Sequence, residues 1–140
     1  RNSTDDIEKM VMTRDEWVAT GIDNAEMAEE IANTDLAQAE VLLDKAIYCF
    51  EQAKENILGS KARTHCSSIR FRLELLLSDP PPPITQVESR ASWLIERLLA
   101  ENLLFESRNL CSTVLPLLTS YTKDQLEQLI LRKLPRKDQY

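Results

Sequence analysis

Glycine occurs only twice in this chain of 140 residues, at Gly21 and Gly59. That scarcity constrains the fold more than any other feature. Sheets of this size need turn residues that accept positive φ, and glycine is their main source. Four of the six prolines stand together at Pro80–Pro83, so long stretches are almost free of helix breakers. With 43% hydrophobic residues the chain has material for a core. The expectation is an all-α fold.

Helix-start signals recur along the chain. Thr13-Arg14-Asp15-Glu16, Thr85-Gln86-Val87-Glu88 and Thr122-Lys123-Asp124-Gln125 have the form of a capping box. In that motif a hydroxyl and a side chain three residues on satisfy each other's backbone amides. Asp35 with Gln38, and Ser60, are further candidate caps. A short helix carrying Ile7, Met10 and Val11 is expected ahead of the first box. Trp17, Val18, Gly21, Ala25, Ala28 and Ile31 or Ala32 follow it at helical spacing.

Asn33-Thr34-Asp35 marks a break, since these side chains compete with the helix for backbone hydrogen bonds. Without Gly or Pro there, one long helix through residue 57 stays open as the alternative. Leu36, Ala39, Leu43, Ala46, Ile47, Phe50, Ala53 and Ile57 form the next stripe. Ala39, Ala46 and Ala53 recur every seven residues, a seam along which another helix can approach closely. Gly59 is expected to end that helix in a left-handed turn.

The third helix carries Ala62, Cys66, Ile69, Leu73, Leu76 and Leu77, and Ser78-Asp79-Pro80 stops it. Pro80–Pro83 reads as an extended spacer. Beyond it come an inward face of Val87, Ala91, Leu94, Ile95 and Leu98, a turn near Glu101-Asn102, and a stripe of Leu103, Leu110, Cys111, Val114 and Leu118. Pro116 predicts a kink or early end there. Leu126, Leu129, Ile130 and Leu134 form a last helix before Pro135. The whole is about six antiparallel helices, a helical-hairpin repeat or a compact bundle. The expected organisation is 1–79, a linker at 80–84, and 85–140, packed as one domain.

The net charge of −6 is uneven. Residues 1–58 carry 14 acids against 5 bases, and residues 59–140 carry 9 acids against 12 bases. An acidic first half disfavours phosphate binding there. Arg63, Arg70, Arg132 and Lys133 form a candidate basic contact surface for RNA or an acidic peptide. Pairing with the acidic first half is the preferred reading of these bases. Aromatic interleaving of the kind that stacks single-stranded bases is missing.

No catalytic, cofactor or metal constellation stands out. His65 is the only histidine, and its neighbour Cys66 points about 100° away on a helix, so the two do not converge on one ion. His65 reads as a surface or boundary residue. Glu26, Glu29 and Glu30 are crowded, but read as a solvated face on so polar a helix. The three cysteines are far apart and unpaired in pattern, which fits a reducing, intracellular setting. No apolar run reaches membrane-span length, and no signal peptide is visible. The polar start without an initiator Met gives the expectation of a piece of a longer protein.

Trp17-x3-Gly21 together with Ala46-x3-Phe50-x2-Ala53 resembles the tetratricopeptide repeat, over residues 14–56. The resemblance implies a helix pair in which small residues sit where the helices touch and aromatics fill the space beside them. It implies a scaffold binding a peptide or partner helix, with no enzyme activity of its own. The chain departs from the pattern in length. Trp17 and Ala46 lie 29 residues apart, against about 16 in the usual repeat. Thr20 stands where Leu is usual, and Leu58 near the usual Pro. The run Ala46-Ile47-Tyr48-Cys49-Phe50-Glu51-Gln52-Ala53 also looks like repeats appended to large UvrD-like superfamily-1 helicases. That resemblance implies an accessory, nucleic-acid-contacting or regulatory segment of an ATPase, although no GxxxxGK[ST] loop is present.

Overall fold

A computed structural model of the chain describes residues 3–80, 82–118, 127–128 and 130–132. The fold is all-α. Helices α1 (Arg14–Ile31), α2 (Leu36–Gln52), α3 (Asn56–Leu77), α4 (Ile84–Ala100) and α5 (Leu104–Val114) are followed by a 3₁₀ turn, Leu115–Leu117. Residues 127–128 and 130–132 are also helical. The chain divides into two compact units, Arg1–Leu73 and Glu74–Tyr140, with the division inside α3.

In the first unit, α1 opens on the expected capping box. Thr13 accepts from the Glu16 amide at 3.2 Å, and Glu16 accepts from the Thr13 amide at 2.8 Å. That hydrogen bond holds the Glu16 carboxyl below its usual range. The chain then breaks at residues 32–35, and Asp35 caps α2 by accepting from the Gln38 amide at 3.0 Å. Residues 14–57 are therefore a hairpin and not one long helix. Ala28 and Ala32 meet Ala39, Leu42 and Leu43 of α2 and Cys66 and Ile69 of α3. Alanines at these contacts let the helices approach closely.

Two arginines finish two of these helices. Arg72, buried on α3, donates to the carbonyl of Ala32 at 3.0 Å, the C-cap of α1. Arg14 donates to the carbonyl of Ala53 at 3.0 Å, the C-cap of α2. A cation at a helix C-terminus satisfies an orphan carbonyl and opposes the negative end of the dipole.

Several expected helix ends are corrected. The N-terminal segment is a series of turns over residues 3–9, not a helix; Ile7 is buried, but Met10 and Val11 are exposed. Gly59 is no stop. It lies within α3, and α2 ends earlier, at Lys54, with φ 56°. The Glu55 amide donates to Phe50 O at 2.8 Å and the Lys54 amide to Glu51 O at 3.1 Å, the paired bonds of a Schellman turn. Ser60 consequently lies inside α3 and does not start it. Ile57 is exposed. Leu76 and Leu77 are exposed as well, whereas Phe71, Leu75 and the polar His65, Ser68 and Arg72 are buried.

In the second unit, α4 begins at Ile84, so the Thr85 box is not used. Pro83, with φ −55° and ψ 141°, is already the N-cap, and its carbonyl accepts from the Gln86 and Val87 amides. The Asp79–Pro80 peptide is cis, and Pro81 falls outside the described residues, as does part of the expected spacer. Val87, Ala91, Leu94, Ile95 and Leu98 are all buried, as expected. A second Schellman turn closes α4 at Asn102, φ 62°, with the Leu103 amide on Leu98 O at 2.7 Å. Leu103, Leu110, Cys111, Val114 and Leu118 are buried, and α5 gives way to the 3₁₀ turn around Pro116. Ile130 is buried; the Thr122 box, Leu126, Leu129, Leu134 and Pro135 lie outside the described residues.

Candidate interaction surfaces

The five residues of the repeat-like signature are all buried within the first unit. Trp17 and Gly21, one helical turn apart on α1, both turn inward. Gly21 faces the ring of Phe50: a Cβ at position 21 would lie 2.6 Å from Phe50 Cε1. Ala46 and Phe50 pack with Ala62 of α3, and Ile22, Ala25, Ile47 and Leu58 close the edges. Trp17 packs with Ile7, Cys49 and Ala53. It meets Tyr48 edge to face, with ring centroids 5.8 Å apart.

Ile7 reaches that cluster from the N-terminal turns. The Ile7 and Glu8 amides both donate to Thr4 O at 3.0 Å, and the Thr4 hydroxyl donates to Glu8 Oε1 at 2.6 Å. Lys45 Nζ of α2 donates to Asp6 Oδ2 at 3.0 Å. That bond holds the Asp6 carboxyl below its usual range. Residues 10–13 have no regular structure, Met12 leans on the cluster, and Val11 is 100% exposed.

Of the candidate basic surface, two members are already engaged by carboxylates of α2. Arg70 donates through Nε to Glu40 Oε2 and through Nη2 to Asp44 Oδ1, each at 2.7 Å. The Glu40 bond raises the affinity of Arg70 for its proton. Arg63 Nη1 lies 3.9 Å from Glu51 Oε2. Arg132 Nε donates to its own helix, at Gln128 O, and Lys133 lies outside the described residues. Glu40, Asp44 and Glu51 of α2 thus pair with Arg70 and Arg63 of α3.

The three thiols, Cys49, Cys66 and Cys111, are free and buried. Burial pushes Cys66 up to about 12, and Cys49 and Cys111 up to about 11. His65 is buried, a correction to its boundary reading, because α3 is covered on a second face. Glu26, Glu29 and Glu30 are exposed. Among the described residues, no three His, Cys, Asp or Glu side chains group so as to hold a metal ion. No described helix is long and apolar enough to cross a membrane.

Two aromatics of the second unit stand outside every buried cluster. Trp93 on α4 is 61% exposed and Phe105 on α5 is 66% exposed. Sequence reasoning passed over both. The signal for Trp93 was present in its phase: at 100° per residue it falls opposite the Val87, Ala91, Leu94, Ile95 and Leu98 face. Phe105 carried the same signal, since it falls opposite the Leu110, Cys111 and Val114 stripe of α5. No family model, curated protein or solved structure matches the chain.

Proposed function

We propose that the chain is a helical scaffold for protein–protein interaction that receives a peptide or a partner helix. Trp93 carries the reading. All five apolar residues of the inward face of α4 are buried without it, so folding of this helix has no need of an outward indole. Large aromatics with one polar atom are the residues that most often anchor protein interfaces. Lengthened, repeat-like packing around Gly21 and Phe50 supports the scaffold part. The nucleic-acid alternative, an accessory segment of a helicase-type ATPase, is weakened by the ion pairs that occupy Arg63 and Arg70.

A photo-cross-linking residue at Ser89, one helical turn from Trp93, tests the reading. In extracts the full chain should form a discrete adduct with another protein. Trp93→Ser should remove the adduct while leaving the folding stability within about 0.5 kcal/mol, as for other exposed positions. No discrete adduct, or the same adduct with Trp93→Ser, would overturn the proposal.

A further inference from the structure

We propose that the outward face of α4 pairs with α4 of a second copy of the chain, the two helices running in the same direction with their Trp93 indoles at the centre of the contact. The proposal rests on the scaffold reading in taking Trp93 as an interface residue, and it names the partner helix.

Helix phase places the charges. Glu96 falls about 60° to one side of Trp93 and Arg97 about 40° to the other, both within about one turn of it. Arg90 lies on the Arg97 side, where Glu74 holds it: its Nη1 donates to both oxygens of that carboxylate, at 3.1 and 3.0 Å. Glu96 and Arg97 are exposed and form no ion pair among the described residues. Ser89, Ser92 and Ala100 are exposed around the indole and small enough for a second helix to come close.

This pattern suits its own copy. A partner carrying one sign of charge would meet either Glu96 or Arg97 with a like charge. α4 holds two acids, Glu88 and Glu96, and two bases, Arg90 and Arg97, so it brings no net charge to the contact although the chain carries −6. A two-fold axis parallel to the helices sets the acidic flank of one copy beside the basic flank of the other. Glu96 then meets Arg97 of the second copy one residue apart in height, and Arg97 meets Glu96 of the second copy, so two ion pairs bracket the indoles. An antiparallel pairing about Trp93 sets like flanks together and brings Arg97 near Arg90 of the second copy, which repels. A contact of one helix on one helix is small and belongs to the weak, transient class. It forms in concentrated protein and leaves the face open to another protein in dilute extract.

The test is the mass of the purified full chain by sedimentation equilibrium. The weight-average mass should rise with concentration from one chain toward two. Trp93→Ser should hold it at one. Glu96→Arg and Arg97→Glu should each hold it at one as well, since each sets like charges opposite. Mixing those two variants should restore the rise, because every facing pair is again opposite in sign; so should Glu96→Arg with Arg97→Glu in one chain. All three positions are exposed, so the urea midpoints should stay as in the parent. A single-chain mass at every concentration, a rise that survives Trp93→Ser or both single charge reversals, or a mixture that stays at one chain would each overturn the proposal. A purified chain that stays single while Ser89 still gives its adduct with another protein in extracts overturns the pairing and leaves the scaffold reading standing. Absence of both removes both.

Discussion

At position 21 the missing Cβ is occupied by a neighbour. With 2.6 Å to Phe50 Cε1, Gly21→Ala forces either the ring or the α1 backbone to move. Overpacking of this kind costs about 1–3 kcal/mol. Urea denaturation should show that loss, and Phe50→Leu should recover part of it in the double variant, a favourable coupling between the two sites. The sequence suggested packing of this kind only through the repeat resemblance, which sets small residues where helices touch and aromatics beside them; it did not single out Gly21 against Phe50. His65 and Arg72 were not legible in the same way. A polar residue on a helix reads as solvated unless something outside the helix covers it, and periodicity holds no information about that cover. The packing of Ile7 with Cys49 was equally hidden, since that contact joins residues about forty positions apart.

Helix starts and helix stops differed in how well they could be read. Thr13 and Asp35 behave as read because the side chain that caps is also the side chain that the sequence displays. Thr85 fails because Pro83 supplies an extended residue two positions earlier and the helix begins there. The stop at Lys54 was missed for another reason, whereas Asn102 lies where a turn was expected. Both adopt the left-handed backbone region that glycine prefers, and neither is glycine. Gly59 attracted the assignment that belonged to Lys54. It follows that Lys54→Gly should stabilise the chain by about 0.5–1 kcal/mol, relief of strain being partly offset by the entropy of a more flexible unfolded state. The urea midpoint should rise with an unchanged slope. Asn102→Gly should gain less, since asparagine tolerates this conformation better than lysine.

Across the whole molecule, the inward faces of α4 and α5 were legible because each helix buries one stripe. The face of α3 was not, because it buries two: Ala62, Cys66 and Ile69 on one, His65, Ser68, Phe71 and Leu75 on the other. A single-stripe reading therefore continued the first face into Leu76 and Leu77, which are exposed. All three thiols lie inside this packing. In the native chain at pH 8 they should react with Ellman's reagent at least about a hundredfold more slowly than in denaturant, since only thiolate reacts and burial suppresses it. A fast-reacting equivalent in the native state would show that one of the three is accessible. The arginines on the ends of α1 and α2 have a consequence of their own. Guanidinium keeps its proton throughout the biological range, so these two fastenings do not respond to acidity. Histidine in either place would have made a helix terminus a proton sensor. The acid response of the first unit is thereby left to its carboxylates. Asp6 is held below its ordinary range by Lys45, so the stabilisation from that pair is complete above the ordinary aspartate range and disappears as pH falls through the lowered value. Acid should thus loosen the N-terminal turns while the hairpin beneath them keeps its ends fastened.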